Sequence, residues 1–215
     1  DVAAAAAGAD AVAFCVNPPL STWETTFPPL LSATLTALQP TSSTLLFPAN
    51  VWIYGPGRGG STDEDTPPSP TSARGRLRVA MEEKLKASGV RARRLRLPEF
   101  YGEHVVTLTA HAIARVLRGA RVYWPGDADA VVEFVYLRDA ARALVDVAVL
   151  DDDAPDLFHL PGTVTTPRQF LAEVGRAAGV PARVTSVPAP LLQLAGRFDA
   201  TLGAVADIGH LWRAP

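Results

Sequence analysis

The chain has 215 residues, a formal net charge of −2 and 48% hydrophobic residues. This length predicts one domain with a small second lobe and a substantial core, and the weak charge excludes strong attraction to nucleic acid or membranes. Cys15 is the only cysteine, which excludes an internal disulfide and a cysteine-cluster zinc site. Because this cysteine usage fits a reducing compartment, we expect a cytoplasmic protein.

The first elements in the chain read as a strand and a helix. Residues 9–16 are mostly apolar, which is typical of a strand buried on both faces of a parallel sheet. This prediction places Cys15 in the core. In the helix that follows, Pro28 and Pro29 are tolerated best near the first turn, so we expect its regular part to begin only near Phe27.

The later elements follow from the same periodicities and stop signals. Strands are predicted at residues 44–47, 91–97, 121–124, 134–137, 157–160 and 183–187. Helices are predicted at residues 72–88, 104–117, 139–149 and 166–178, followed by a last pair after Pro190. Asp139 is expected to cap the third of these helices, and Thr166 the fourth. Strands that alternate with helices predict a parallel α/β sheet.

One stretch combines a strand, a polar loop and a helix, the order typical of a ligand site at the carboxyl end of a sheet. After the strand at residues 44–47 comes Pro48-Ala49-Asn50-Val51-Trp52-Ile53-Tyr54-Gly55. The loop carries Asp63-Glu64-Asp65-Thr66-Pro67. The helix then presents Arg74, Arg78 and Glu82 at intervals of four residues, and therefore on one face.

This stretch resembles the NAD-dependent epimerase/dehydratase family of the extended short-chain dehydrogenases/reductases. That family has Ser-Ser-x-x-Val-Tyr-Gly, an acidic loop with proline, then Tyr-x-x-x-Lys and a Glu four residues later. Here Ile53-Tyr54-Gly55, the acidic loop and Glu82 match. Asn50 stands at the Ser position, Arg74 at the Tyr position and Arg78 at the Lys position, so the resemblance is to an atypical branch.

The resemblance implies a Rossmann-like doubly wound parallel sheet with a small C-terminal α/β substrate lobe. Residues 1–160 would be the remainder of the NAD(P)-binding domain and residues 161–215 part of the substrate-binding lobe. The glycine-rich turn that holds the pyrophosphate is absent near the start, and residues 55–60 are glycine-rich in the wrong context. Because only the middle and later part of a family member is matched, we expect a piece of a longer chain, whose apolar strand at residues 9–16 would otherwise be an exposed edge.

The two arginines allow two interpretations. A guanidinium stays charged, so Arg74 cannot donate a proton as the family's Tyr does, whereas Arg78 can supply charge in place of the Lys. Together they form either a clamp for a phosphate, carboxylate or nucleotide, or a solvated basic face paired with Glu82 and Glu83. Asn50 is a hydrogen-bond donor to a substrate oxygen or a turn cap, and Tyr54 is a replacement acid or a packing residue.

The resemblance also implies which other residues meet the cofactor and the substrate. The cofactor-binding positions are Asn17, Pro48, Arg78, Pro98 and Phe100. The substrate positions are Glu99 and Tyr101; Glu99 is either a base or the partner of an arginine in the same cleft. Sugar-nucleotide epimerases grip the diphosphate with an Arg where this chain has Val132, which argues against a nucleotide-sugar substrate.

We therefore expect an NAD- or NADP-dependent oxidoreductase or epimerase whose catalytic pair is replaced. The alternatives are a non-catalytic NAD(P)-binding sensor or regulatory protein, and a truncated remnant without a function of its own. The four histidines show no metal-ligand spacing, so no metal site is expected. The expected partner is a small-molecule substrate, with no nucleic acid and no membrane, and a homodimer stays open.

Overall fold

The computed structural model describes residues 2–55 and 61–209. Most of the glycine-rich loop and His210 lie outside these residues. The described chain divides into two compact units. The first unit contains residues 2–54, Ser61–Leu97 and Ala141–Leu160, and the second contains Pro98–Ala140 and residues 161–209. The assignment of residues 1–160 to a cofactor domain and 161–215 to a substrate lobe stays a prediction.

The first unit is built on a four-stranded parallel sheet. Its strands are β1 (Ala11–Ala13), β2 (Thr44–Asn50), β3 (Ala92–Leu97) and β7 (Leu157–His159), and they lie side by side in this order. Its helices are α1 (Val2–Ala6), α2 (Trp23–Leu38) and α3 (Ala73–Ala87), with single 3₁₀ turns at Leu20–Thr22 and Val51–Ile53. Parallel strands need crossover connections, which α2 and α3 supply on either side of β2 in the sequence.

Apolar side chains of α2, β2 and α3 form the core of the first unit. Leu31, Leu45 and Phe47 are fully buried within it. Phe47 stacks on Phe14 with a centroid distance of 5.8 Å, and Trp23 stacks on Trp52 at 5.1 Å. This aromatic cluster lies beside the carboxyl half of β2, where the sequence predicts the site.

The second unit contains shorter strands in two small sheets. Strands β4 (Glu99–Tyr101), β6 (Val132–Tyr136) and β8 (Thr163–Thr165) form one sheet, in which only β8 is antiparallel. Strands β5 (Val122–Pro125) and β9 (Val184–Val187) pair in parallel in the other. Helices α4 (Leu108–Leu117), α6 (Pro167–Ala177), α7 (Ala189–Ala195) and α8 (Ala200–Asp207) complete it, and α5 (Leu137–Ala148) begins in this unit and ends in the first.

The predicted α/β class with a parallel sheet is confirmed, as is the cap at Thr166, whose Oγ1 accepts a hydrogen bond from Gln169 N at 3.2 Å. Ser72, where the predicted helix begins, is also a cap, and its Oγ accepts from Gly75 N at 2.9 Å. Gly89 has a φ of +73° just past α3, the left-handed conformation that glycine adopts at helix ends.

Two predictions about the first helix and strand are wrong. The α2 helix begins at Trp23 and contains Pro28 and Pro29. Trp23 packs against Phe27, with ring centroids 4.9 Å apart. This packing holds the first part of the helix together although the two prolines donate no backbone hydrogen bonds. Cys15 is exposed rather than in the core, because the strand is shorter than predicted and β1 is an outer strand of the described sheet.

Two helix starts and two strands of the second unit also differ from the prediction. Helix α4 begins at Leu108, not at residue 104, because Thr107 caps it and accepts from Ala110 N at 3.1 Å. Asp139 lies inside the first turn of α5 and not at its cap. Strands β4 and β8 were not predicted; each has three residues, which is too short for an alternating pattern to stand out.

None of the described helices is long and apolar enough to cross a membrane.

Candidate functional site

Helix α3 is fixed against the end of β2 by a glycine. A Cβ atom on Gly75 would lie only 2.4 Å from the carbonyl oxygen of Trp52, so only glycine allows this approach without a shift of the backbone. Ser72 caps the same turn of the helix. The close approach sets the first two turns of α3, and with them Arg74 and Arg78, beside the carboxyl half of β2.

Arg78, at the Lys position of the family motif, is only 5% exposed. Its Nη2 donates a hydrogen bond to the carbonyl oxygen of Pro48. Its guanidinium carbon lies 4.9 Å from the ring centroid of Phe47 and 5.6 Å from that of Phe27, and Trp23 lies 6.0 Å away. Aromatic faces attract a cation, so this side chain is held by contacts inside the first unit.

The charge on Arg78 survives its burial. Desolvation lowers the pKa of Arg78 to about 10, and the negative charge of Glu82 acts in the opposite direction. The group is therefore protonated at neutral pH. A solvated basic face is wrong for Arg78, because the side chain is buried and Glu82 forms its ion pairs with other arginines.

Arg74, at the Tyr position, ties α3 to the segment before α2. Its Nε and Nη2 each donate to the carbonyl oxygen of Leu20 at 3.2 Å. Both arginines of the pair thus donate to backbone carbonyls of the first unit. These contacts are consistent with the prediction that the two arginines share one helix face. That the pair binds an anion stays a prediction.

The two asparagines differ in what surrounds them. Asn50 Oδ1 accepts from Trp52 N at 3.2 Å and caps the 3₁₀ turn after β2, as the turn-cap alternative predicts. Its amide nitrogen donates to no group in the described residues, so donation to a substrate oxygen stays a prediction. Asn17 is exposed in the segment after β1, and its contact with a cofactor is likewise a prediction.

Tyr54 lies in a polar cluster that the sequence did not predict. Its hydroxyl accepts a hydrogen bond from Arg96, lies 2.9 Å from His159 Nε2 and 3.2 Å from the carbonyl oxygen of Asp63. Burial raises the pKa of Tyr54, while the charge of Arg96 opposes that rise. Tyr54 is 7% exposed, so its described partners assign it a structural position, and its role as an acid stays a prediction.

Two buried arginines of β3 share one carboxylate oxygen of α3. Glu82 Oε2 lies 3.0 Å from Arg96 Nη2 and 3.4 Å from Arg94 Nη1, and Arg94 also pairs with Asp156 at 2.6 Å. Arg94 and Arg96 are two residues apart in β3, so their side chains point to the same face of the sheet. That spacing, together with a carboxylate in the preceding helix, is the signal by which the sequence would have revealed this cluster.

Glu99 and its neighbours belong to the second unit. The Thr109 hydroxyl donates to Glu99 Oε1 at 3.0 Å, and Thr109 is fully buried in the first turn of α4. Burial raises the pKa of Glu99 to about 7, although the bonds from Thr109 act against the rise. The described partner of Glu99 is Thr109 and not an arginine, which leaves a titratable carboxyl near neutral pH.

The other predicted residues of this segment have packing partners in the same unit. Tyr101 packs edge-on against Phe170, with ring centroids 5.0 Å apart. The carbonyl oxygen of Phe100 accepts from the Thr107 hydroxyl at 3.2 Å, and Pro98 is buried. Their contacts with a cofactor or a substrate stay predictions. Within residues 2–55 and 61–209, the acidic, histidine and cysteine side chains form no group that fits a metal ion.

Several solved structures share this fold. MoeE5 in complex with UDP-glucose and NAD is 20% identical, with a TM-score of 0.76 over 87% of this chain and 69% of that chain. The UDP-glucuronic acid 4-epimerase from Bacillus cereus, in complex with UDP-glucuronic acid and NAD, is 16% identical, with a TM-score of 0.75 over 98% and 78%. DesIV, a dTDP-glucose 4,6-dehydratase from Streptomyces venezuelae, is 17% identical, with a TM-score of 0.71 over 99% and 66%.

Similarity at these identities establishes the fold. A search of curated proteins gives no match. The family assignment comes from the sequence profile of the NAD dependent epimerase/dehydratase family, which matches residues 1–158. Since this match spans most of the chain, the protein belongs to the NAD dependent epimerase/dehydratase family.

Proposed function

We propose that this protein binds NAD(P) without using the residues at the Tyr and Lys positions for redox chemistry. Membership of the family supports the nucleotide, as do the NAD complexes of MoeE5 and of the Bacillus cereus epimerase. The loss of redox chemistry rests on one observation: Arg78 is buried and donates to the Pro48 carbonyl oxygen.

The arginine pair does not fit the part that Tyr and Lys play toward a nicotinamide. An arginine cannot exchange a proton near neutral pH, whereas general acid–base catalysis needs a group that titrates there. Arg78 Nη2 donates to the Pro48 carbonyl oxygen, and Arg74 Nε and Nη2 donate to that of Leu20. A hydride-transfer step at these positions would lack its proton donor. A sensor or regulatory role therefore suits the arginine pair better than the role of an oxidoreductase.

The test is a titration of the protein with NADH and NADPH, followed by an assay for hydride transfer. We expect saturable binding of one of the two nucleotides, seen as a change in nicotinamide fluorescence. We also expect no change of nicotinamide absorbance with a panel of aldehydes, ketones and sugars. Turnover with any of these compounds would contradict the non-redox proposal, and the absence of binding to both nucleotides would contradict the proposed cofactor.

A second candidate is an enzyme in which Glu99 transfers the proton. The observation that favours it is the half-buried Glu99, whose carboxyl is bonded by the Thr109 hydroxyl and has a pKa raised by desolvation to about 7, since acid–base groups work best near the operating pH. Glu99 would act as a base above this pH and as an acid below it. In this candidate the protein is an enzyme that uses Glu99 for proton transfer, and Arg74 and Arg78 take no part in the chemistry.

A pH profile with two variants tests this candidate. If any turnover exists and Glu99 is the base, the rate rises with pH through about 7, where the carboxyl loses its proton. Glu99→Gln should abolish that rise and lower the rate by about 100-fold or more, the usual contribution of a general base. Glu103→Gln is the control, because Glu103 bonds Tyr136 and Arg138 and has a lowered pKa. A rise that persists in Glu99→Gln would exclude Glu99.

A further inference from the structure

The first unit contains a cavity between the acidic loop, α3 and the sheet. Its volume is about 250 Å³, and its walls come from loop residues 64–68, from one side of α3 and from strands β3 and β7. Every residue that lines it belongs to the first unit. None of them is a predicted cofactor position, so the cavity is a separate feature of the molecule.

The acidic loop is held in place as one wall of this cavity. The Glu64 carboxylate accepts a hydrogen bond from the backbone N–H of His159 at 2.6 Å. The Tyr54 hydroxyl donates to the carbonyl oxygen of Asp63 at 3.2 Å, and the Thr66 hydroxyl donates to the Asp63 carboxylate at 2.6 Å. These bonds attach the loop to the sheet, so the fold itself builds this wall.

The cavity carries an excess of negative charge. Arg96 and Glu82 both line it, and their charges compensate each other in an ion pair. The other charged residues of the lining are three carboxylates and one ammonium, namely Glu64, Asp65, Glu83 and Lys86. The hydrogen bond from the backbone of His159 lowers the pKa of Glu64, which is therefore ionised at neutral pH. This balance of charge attracts a cation and repels an anion.

One buried carboxylate oxygen at the cavity lacks a hydrogen-bond donor. The side chain of Glu82 is 6% exposed, and its Oε2 pairs with both Arg94 and Arg96. Its Oε1 is buried and has no hydrogen-bond partner among the described residues. Leaving a buried acceptor unpaired costs stability, so this oxygen favours a ligand that brings N–H donors into the cavity.

The walls favour an organic cation as this ligand. Within the described residues no group of acidic, histidine and cysteine side chains fits a metal ion. Apolar surface lies beside the carboxylates, from Pro67, Pro68, Val79 and Leu157. An alkylammonium has three N–H donors and no acceptor, and its methylene groups can lie along apolar side chains. It therefore matches both kinds of surface in the cavity.

We propose that this cavity binds a small aliphatic amine in its ammonium form. The ammonium group lies at Glu82 and the carboxylates of the loop, and the carbon chain lies against the two prolines and Val79. The proposal goes beyond the nucleotide proposed above and does not depend on it.

A titration of the protein with putrescine, in the absence of nucleotide, tests this site. Putrescine is an aliphatic diamine whose amines, like that of lysine, are protonated at neutral pH. We expect saturable changes in the amide resonances of Asp65, Thr66 and Glu83, and weaker binding as the salt concentration rises. Butanediol with the same carbon chain is the neutral control, and it should leave these resonances unchanged at the same concentrations.

Three variants that each remove one exposed carboxylate locate the site. Asp65→Asn and Glu83→Gln remove a charge from the cavity and should each weaken putrescine binding about three- to fivefold, as expected for a partly solvated ion pair. Glu24→Gln removes the same charge from α2, outside the cavity, and should leave the dissociation constant unchanged. Glu82→Gln should weaken binding more than either cavity variant; should it not fold, the three exposed positions give the answer.

The proposal would be overturned if putrescine gave no saturable change, or if butanediol gave the same changes. Equal affinity of the wild type and both cavity variants would also overturn it. So would an equal loss in Glu24→Gln, because it would show attraction to the acidic surface in general. None of these results depends on NADH or NADPH, so the failure of this site and the failure of the proposed cofactor are distinguishable.

Discussion

Helix α3 buries charge on two sides, and the two sides differ in how the charge is compensated. Arg78 has aromatic rings and one backbone carbonyl, and the carboxylate that influences it, Glu82, is not bonded to it. Arg94 and Arg96 meet Glu82 in direct ion pairs. The comparison shows two ways in which a buried guanidinium is retained beside α3, by ring faces with one backbone carbonyl or by a shared carboxylate, and we expect the two to respond differently to substitution.

Substitution of Glu82, on the carboxylate side, should lower the free energy of unfolding more than substitution of Arg78. Glu82→Gln leaves two guanidinium groups, each 3% exposed, without their common negative partner. Removal of one member of a buried ion pair costs about 3–5 kcal/mol, so we expect a loss of this size in the free energy of unfolding. Urea denaturation followed by circular dichroism measures it.

Glu83→Gln is the matched control, because the neighbouring Glu83 is exposed on the same helix. We expect a change within about 0.5 kcal/mol for this surface substitution. Equal losses in the two variants would mean that the pairing of Glu82 with the β3 arginines contributes nothing specific to stability.

Substitution of Arg78, on the side of the aromatic rings, should lower the free energy of unfolding by less. Arg78→Met keeps apolar contact with Phe47 but leaves the Pro48 carbonyl oxygen without its donor. A hydrogen bond to a charged group contributes about 1.5–3 kcal/mol, and relief from burying the charge offsets part of it, so we expect about 1–2 kcal/mol. Arg76→Met, at an exposed position, is the control. A loss larger than that of Glu82→Gln would reverse the comparison.

Local signals in the sequence predicted the helices best. The glycine at the end of α3 and the Thr166-Pro167 start of α6 act within a few residues, so they can be recognised in a single segment. The start of α2 was predicted wrongly because Trp23 packs on Phe27 and outweighs the prolines. Propensity is a weak signal wherever tertiary packing decides.

The sequence predicted which residues lie at the candidate site, but it did not predict the groups that they contact. The sequence places Arg74 and Arg78 on one helix face, but the ring faces around Arg78 come from Phe27 on α2 and Phe47 on β2. The cluster of Tyr54 depends on the pairing of β3 with β7, which sets Arg96 opposite His159 across 63 residues of sequence. The sequence of either strand alone does not determine this register.

The clamp hypothesis and the structural interpretation of Arg78 make opposite predictions for one quantity, the affinity for nicotinamide nucleotide. The measurement is a titration of the wild type, Arg78→Met and Arg76→Met with whichever of NADH and NADPH the wild type binds, at a temperature where all three are folded. If Arg78 is held inside the fold, the three dissociation constants should agree within about threefold. A weakening of about tenfold or more in Arg78→Met alone, equivalent to 1.4 kcal/mol or more, would show that Arg78 holds the cofactor and would contradict this account.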